Sequence, residues 1–195
     1  MVGTPHMPIT AYPLRPARMH EVSGPAAVSF ALRGAQESGA DLLWVRERWQ
    51  SGQLNPLGFD GFDPARLLMA MTRDQTETLA VTEEALRDGS LRCVVAEITA
   101  PLGLTIGRRL QLAAQAGGTT GLCLTPEGMG SNAAETRWHC APVFDPDDST
   151  LQRWKLIKNK SGTLGTWHVR WDAEARRIAV VSPSGHGPGS QGASD

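Results

Sequence analysis

The stretch of residues 19–32 constrains the fold of this 195-residue chain more than any other part of the sequence. An apolar segment predicts a β-strand over residues 18–23, and Gly24-Pro25 predicts a turn into a helix over residues 26–37. A strand that leads through a glycine turn into a helix N-terminus is the frame of a phosphate-binding loop. The same frame occurs in strand-turn-helix units that bind no nucleotide, so the local pattern leaves both interpretations open.

The side chains that allow such a loop to bind nucleotide are missing. In the pattern G-x-x-x-x-G-K-[ST], the lysine neutralises phosphates and the hydroxyl ligates Mg²⁺. This chain has a serine, a phenylalanine and an alanine at the last three positions. Charged hydrogen bonds are worth about 1.5–3 kcal/mol each, so the loss of two such partners predicts that Mg-ATP does not bind tightly. We therefore predict a degenerate nucleotide site without cofactor or metal, which comprises Gly24, Pro25, Ser29, Phe30, Ala31 and, at the end of a later strand, Glu97.

The order of the remaining segments predicts the fold class. Buried strands are predicted from short apolar runs, and helices from 3.6-residue periodicity over residues 72–88 and 105–116. The apolar runs are residues 41–45, 66–71, 91–98 and 119–125. Four alternating segments then predict an antiparallel meander, at residues 135–141, 152–158, 166–172 and 176–182. We predict an α/β fold with a mostly parallel central sheet flanked by helices and a C-terminal antiparallel extension.

The topology also predicts where a ligand would lie. In such folds, ligands bind beyond the carboxyl ends of the strands. The turn at Gly24 and the carboxylates of Glu47 and Glu97 would all lie at this edge of the sheet.

Composition excludes several classes of protein. The formal net charge of −1 leaves no global basic field that would attract nucleic acid, so any such contact would need a local patch. The sequence has no run of about 18 apolar residues that predicts a membrane span, and its N-terminus lacks the pattern of a secretory signal. Cys93, Cys123 and Cys140 form no C-x-x-C pair, which predicts buried free thiols in a reducing cytoplasm. The five histidines show no ligand spacing, so no zinc site is predicted.

The two ends of the chain differ in texture from its middle. Residues 1–16 carry four prolines and little periodicity, which predicts a flexible arm. Residues 183–195 consist mostly of glycine, serine and proline, which predicts a disordered tail. Residues 17–182 are therefore predicted to form one domain.

Several segments, taken in order, carry a resemblance to a known family. Residues 20–25 are similar to the opening of its phosphate loop, and residues 42–45 to its second strand. Further similarity lies in residues 61–68 (Gly-Phe-Asp-Pro-Ala-Arg-Leu-Leu), 108–114 (Arg-Arg-Leu-Gln-Leu-Ala-Ala), 134–138 and 154–162. Together these segments resemble the ImuA (inducible mutagenesis protein A) branch of the RecA recombinase superfamily, over about residues 18–181.

The resemblance implies a RecA-like domain and a role in DNA damage tolerance. Proteins of this branch are accessory factors of SOS-induced, error-prone translesion synthesis. They act with ImuB, a Y-family polymerase homologue that lacks catalytic carboxylates, and with an error-prone C-family polymerase. The resemblance implies contacts rather than chemistry, so we expect a non-catalytic protein. Two alternatives stay open: a residual DNA-stimulated ATPase that uses Glu97, and a regulator that binds RecA, as SulA-like relatives do.

The resemblance also assigns positions to the two carboxylates at the predicted edge. Glu97 falls where the metal-ligating aspartate of the second nucleotide motif would lie, and Glu47 falls near the catalytic carboxylate of recombinases. Without the lysine and hydroxyl of the loop, we expect neither to be catalytic. The alternatives are a structural carboxylate for Glu97 and a solvated charge cluster formed by Glu47 with Arg46 and Arg48. The two DNA-binding loops of the superfamily are expected to be shortened to residues 99–104 and 126–132.

Basic residues could contact single-stranded DNA weakly or bind an acidic partner. Arg108 and Arg109 lie on the predicted outer face of a helix, and Lys155, Lys158 and Lys160 could line one side of the antiparallel strands, with Arg170. Nearby tryptophans could stack on bases. The alternative is that the arginines and lysines are simply solvated and that the tryptophans belong to the core.

Overall fold

The computed structural model describes residues 9–39, 41–59, 61–175 and 177–183. Within these residues, one sheet has nine strands in the order β3-β2-β4-β5-β1-β6-β7-β8-β9. The parallel strands are β1 Met19–Ser23, β2 Leu42–Glu47, β3 Leu67–Thr72, β4 Cys93–Glu97 and β5 Thr120–Leu124. The helices are α1 Ala27–Ser38, α2 Gln75–Asp88 and α3 Leu104–Gly117, and the C-terminal strands are β6 Thr136–Pro142, β7 Gln152–Asn159, β8 Gly165–Asp172 and β9 Arg177–Pro183. The predicted fold class is confirmed: a mostly parallel sheet with helices carries an antiparallel extension.

Strand β6 differs from the prediction, because it does not begin the antiparallel part. It pairs parallel to β1, from His20 opposite Thr136 to Ser23 opposite His139, and antiparallel to β7. Alternating burial looks the same in parallel and antiparallel strands, so the sequence pattern does not fix the direction of a strand. The extension therefore begins at β7, and β6 joins the two parts of the sheet.

The helices divide the core between the two faces of the sheet. Helix α1 covers one face, where Phe30 packs with Trp138 and Trp154. Helices α2 and α3 cover the other face and contribute Leu86 and Leu110 to a separate cluster. The tryptophans of β6, β7 and β8 thus belong to the core, and Trp154 and Trp167 are not available as stacking platforms for bases.

Helix α2 begins at a side-chain cap, with Asp74 followed three residues later by Glu77, which is the spacing of a capping box. The Asp74 carboxylate accepts the N–H of Glu77 at 2.9 Å. The Glu77 carboxylate accepts the N–H of Arg73 at 2.7 Å, one residue before the cap rather than at the cap itself. This exchange satisfies backbone donors that a helix end otherwise leaves unpaired.

A buried polar network links β1 to β6. Nε2–H of His20 donates to the carbonyl of Arg15 at 2.9 Å, and Nδ1 accepts the hydroxyl of Thr136 at 2.7 Å. Nε1–H of Trp138 donates to the same hydroxyl oxygen at 3.0 Å. Burial lowers the pKa of His20 from 6.5 to about 4, so the imidazole is neutral at pH 7.

Residues 9–16 correct the predicted N-terminal arm. Ile9 is part of the core cluster, and the ring of Tyr12 lies 4.9 Å from that of Trp154. Because these apolar side chains are covered by the domain, the prediction of a flexible arm is wrong for this segment. Residues 1–8 and the predicted tail from residue 184 onward lie outside the described residues.

The described residues contain three free cysteines, and all of them are buried. Burial raises the pKa of Cys93 to about 12 and raises those of Cys123 and Cys140 as well. Their thiols are therefore protonated at pH 7, as the sequence predicted for buried residues. In the same part of the chain, no helix is long and apolar enough to cross a membrane, and no group of three metal-ligating side chains comes together.

Candidate functional site

The turn after β1 folds back against β6 instead of forming an open loop. Gly24 has φ of +92°, and a Cβ at this position would lie 2.4 Å from the carbonyl oxygen of Cys140. The N–H of Ala26 donates to this same carbonyl at 3.0 Å, and the N–H of Ala27 donates to the carbonyl of Gly24. These amides, which a phosphate loop would direct at its ligand, are consumed within the protein. Pro25 is exposed and has no N–H to offer.

The three substituted positions lie within the first two turns of α1, because the helix already begins at Ala27. Phe30 is fully buried, with its ring centroid 4.7 Å from that of Trp154, and Ala31 is buried beside it. The Ser29 hydroxyl accepts a hydrogen bond from Nε2 of Gln152 at 2.8 Å. All three side chains therefore hold α1 to the rest of the domain.

Glu97, at the end of β4, is paired within the protein. One carboxylate oxygen accepts Nε1–H of Trp44 at 2.7 Å and lies 3.4 Å from Nε of Arg46. Arg46 also donates to the carbonyl of Gly52. This arrangement matches the structural alternative for Glu97, since a donor and a cation already occupy its carboxylate.

Glu47 corrects the prediction of a solvated charge cluster. Arg46 and Glu47 are both buried, and of the three cluster residues only Arg48 is exposed. The Glu47 carboxylate accepts Nε1–H of Trp49 at 2.6 Å and the hydroxyl of Thr99 at 2.5 Å. The alternation of charges in residues 46–48 suggested a solvated cluster. In the structure, neutral hydrogen-bond donors replace water around the buried Glu47 carboxylate.

Hydrogen bonds from the loop backbone to two side chains, Gln75 and Glu21, fix both shortened loops. The Gln75 carboxamide oxygen accepts the N–H groups of Thr99 and Ala100 at 2.8 and 2.6 Å. In the other loop, Glu21 accepts the N–H of Ser131 at 2.6 Å and Nε of Arg137 at 2.7 Å. Sequence reasoning missed Glu21 and Gln75. The available signal for Glu21 was an acidic residue inside a segment predicted to be a buried strand.

The predicted basic contact residues are not brought together. Arg108 is exposed on α3, whereas Nη2 of Arg109 is bound to the Glu83 carboxylate at 2.6 Å. Nζ of Lys158 and of Lys160 donate to the carbonyls of Ala134 and Ala133, respectively. Burial, with the nearby charges of Lys160 and Arg137, lowers the pKa of Lys158. Among the predicted lysines, Lys155 is the one whose side chain has no partner among the described residues, and it lies on the open side of β7.

Gln111 connects α3 to the central sheet. Its side-chain oxygen accepts the N–H of Met19 at 3.0 Å. This bond ties α3 to the start of β1, and helical periodicity alone could not reveal it.

A cavity of about 800 Å³ lies on the open side of β6–β8, beside the turn at residues 126–130. Opposed positions on the strands place His139 next to Lys155, and Arg153 next to His168. We call these four residues the open basic face. Nε2 of His139 lies 2.7 Å from the Glu127 carboxylate. The side chains of Arg153 and Lys155, in contrast, form no hydrogen bond or ion pair with any described residue.

A second cleft lies at the carboxyl edge of the sheet, where the topology places a ligand. Its volume is about 640 Å³, and it is lined by the start of α1, the ends of β2 and β4, and the loop of residues 52–59. We call it the edge cleft. Its polar lining includes Ser29, Arg46, Gln50 and Glu97.

Comparisons with known proteins bear on this arrangement. The chain matches no protein-family model. Protein ImuA of Caulobacter vibrioides, strain NA1000 / CB15N, is 34% identical to it over 199 residues, which covers 87% of this chain and 77% of that protein. The same values hold for Protein ImuA of Caulobacter vibrioides strain ATCC 19089. The chain belongs to the ImuA family.

The fold of this ImuA-family chain is also that of a recombinase core. A crystal structure of the RadB recombinase superposes with a TM-score of 0.62, at 17% identity, over 84% of this chain and 90% of that one. The predicted RecA-like fold is confirmed at the level of the fold. The ImuA-like segment of residues 108–114 lies within α3, and the Lys-Asn-Lys segment of residues 158–160 anchors the loop before β6.

Proposed function

We propose that this protein is a non-catalytic, RecA-like accessory factor of SOS-induced, error-prone translesion DNA synthesis. It acts in the cytoplasm through contacts with an ImuB-like Y-family polymerase homologue and an error-prone C-family polymerase. Membership of the ImuA family supports a role in damage-induced mutagenesis. The observation that carries the non-catalytic part is Phe30, which is buried among tryptophans where a phosphate loop needs its lysine.

The surroundings of Phe30 support the same proposal. A nucleotide would need free backbone amides, a cation and a metal ligand at this edge of the sheet. The amide of Ala26 is bound to Cys140, and Glu97 is bound to Trp44 and Arg46. Binding Mg-ATP here would require these internal bonds to break without a lysine to compensate. We therefore propose that neither ATP nor Mg²⁺ is a cofactor.

Calorimetry with the purified full chain tests the non-catalytic proposal. We expect no binding heat with millimolar Mg-ATP, with or without single-stranded DNA, whereas a catalytic recombinase titrated in parallel gives a clear signal. Micromolar affinity would contradict the proposal. ATP turnover that disappears in Glu97→Gln would establish the residual ATPase instead.

Co-purification tests the partner. The full chain and the ImuB-like protein of the same cell are expressed together, and a stable complex in size-exclusion chromatography is expected. If the chain binds RecA filaments but not the ImuB-like protein, the regulator alternative replaces this proposal.

The open basic face favours a second contact, with single-stranded DNA. Arg153 and Lys155 are exposed and lie beside His139 and His168 on one side of three neighbouring strands. Because phosphate contacts release counterions, the affinity for a labelled oligonucleotide should fall steeply with salt concentration. Affinity that does not change with salt would exclude this contact.

A further inference from the structure

The edge cleft continues beyond the first cavity. A neighbouring cavity of about 500 Å³ shares five lining residues with it and extends it past the end of β2 to Trp49 and Thr99. The shared residues are Arg46, Gln50, Gly52, Ile98 and Pro126. Each cavity alone is as large as the sites that hold small molecules, and together they form a groove that is longer than such a site.

The charges of the edge cleft cancel. Among the described lining residues of both cavities, the charged side chains are Arg46 and Glu97, and they pair with each other at 3.4 Å. Glu47 is buried, lines neither cavity, and accepts hydrogen bonds from Trp49 and Thr99. A triphosphate or a strongly charged segment would find no net opposite charge here, so the cleft favours an uncharged occupant.

Exposed apolar side chains surround the cleft. Trp49 is 65% exposed, and its ring is held in one orientation by the hydrogen bond from Nε1–H to Glu47. Val28 in the first turn of α1 is 37% exposed, and Leu57 is 92% exposed beside the wall residues Asn55 and Gly58. Tryptophan is one of the side chains that are enriched among the residues that dominate the binding energy of protein interfaces.

We infer that the edge cleft is a docking groove for an extended, uncharged peptide segment of the polymerase-associated partner. An apolar side chain of this segment packs against the exposed ring of Trp49. The inference rests on the proposed function for the identity of the partner, but the groove itself follows from the lining residues. The position that holds nucleotide in catalytic relatives thereby serves a protein contact.

Variants in each of the two cavities test this inference in the full chain. Trp49→Ala removes the aromatic anchor from one cavity, and Val28→Arg introduces a charge into the lining of the other. Phe144→Ala is the matched control, because Phe144 is an aromatic residue that is 92% exposed and lies outside the lining of both cavities. Thermal unfolding of each variant verifies that it is folded.

Binding of the purified ImuB-like protein is measured by calorimetry. The inference predicts at least a tenfold loss of affinity for Trp49→Ala and Val28→Arg, and less than a twofold change for Phe144→Ala. If the partner binds the wild type and all three variants equally, the docking groove is overturned while the proposed function stands.

A selection of random peptides displayed on phage, with the full chain as target, provides a result that does not need the partner. Uncharged apolar peptides that bind the wild type and Phe144→Ala but not Val28→Arg support the groove, even if the ImuB-like protein fails to bind and the proposed function fails. The absence of such peptides, together with no binding of the partner, overturns both. Mg-ATP binding that is lost in Val28→Arg also overturns the groove, because the cleft would then be a nucleotide site.

Discussion

The degenerate phosphate loop and the open basic face lie on neighbouring strands, but they differ in how their polar side chains are paired. In the loop region, Ser29 is bonded to Gln152, and Glu97 is bonded to Trp44. On the open basic face, the side chains of Arg153 and Lys155 form no hydrogen bond or ion pair with any described residue and are exposed to water.

The difference has a physical reason. A buried polar group is costly unless it is paired, so a former ligand site that becomes part of the core must acquire internal partners. An exposed cation costs little in water and keeps its capacity to bind. Polar groups that are paired inside the protein therefore indicate a structural role, and unpaired groups at the surface indicate where a ligand can still bind.

The largest expected effect comes from restoring the missing lysine. Phe30→Lys would place a cation in a fully buried aromatic cluster, so we expect a loss of at least about 4 kcal/mol in the free energy of unfolding. Urea denaturation measures it. The control Phe30→Leu keeps an apolar side chain and should cost about 1–3 kcal/mol. A stable Phe30→Lys variant that binds Mg-ATP would show that the loop is a nucleotide site lacking only one residue.

The second prediction concerns the buried pair of Glu21 and Arg137. Glu21→Gln leaves the guanidinium without its counter-charge and weakens the bond to Ser131, so we expect a loss of roughly 3 kcal/mol. Denaturation by urea is again suitable. Glu127→Gln is the matched control, because Glu127 is exposed and should change stability by less than about 0.5 kcal/mol. Similar changes in the free energy of unfolding for the two variants would contradict the inference that Glu21 holds the loop of residues 126–132 in place.

The third prediction is a dependence of stability on pH through His20. Its pKa is lowered from 6.5 to about 4 in the folded protein, so the fold favours the neutral imidazole. The stabilisation is complete above pH 6.5 and is lost as the pH falls towards 4, because the unfolded chain takes up the proton first. The loss amounts to roughly 3 kcal/mol.

His20→Gln isolates this contribution. The variant keeps a hydrogen-bonding side chain that does not titrate, so the difference in stability between wild type and variant should shrink as the pH falls from 6.5 to 4. Urea denaturation at several pH values provides the comparison, and curves that stay parallel over this range would contradict a buried neutral His20.

Much of the fold could be predicted from the sequence because apolar periodicity and turn residues are local signals. The capped start of α2 at Asp74 and the buried run of β4 are examples. The direction of β6 could not be predicted, because it depends on pairing with β1, more than a hundred residues away. The packing of Tyr12 on Trp154 is equally non-local.

The candidate site was predictable only where a residue type was itself informative. Phe30 at the position of the phosphate-loop lysine was such a case. The burial of Glu47 was not, because its partners Trp49 and Thr99 come from the following turn and a distant loop. Likewise, the sequence could not tell Lys155 from Lys158, since only the fold directs the second towards the carbonyl of Ala134.

The smallest effect on stability is expected on the open basic face. The double variant Arg153→Glu/Lys155→Glu should change the free energy of unfolding by less than about 1 kcal/mol, because both side chains are exposed and neither is bonded to a described residue. The same variant should weaken binding to a single-stranded oligonucleotide and reduce the slope of log K against log salt by about 1.4, at about 0.7 for each lost phosphate contact.

Arg48→Glu/Arg92→Glu is the control for this variant, since both arginines are exposed and the same change in net charge is made outside β6–β8. If both double variants weaken DNA binding equally, the effect is one of net charge. The unpaired cations of the open basic face would then not mark a binding site for DNA. If only the variant on β7 weakens DNA binding, the exposed cations of the open basic face are the ones that bind phosphate.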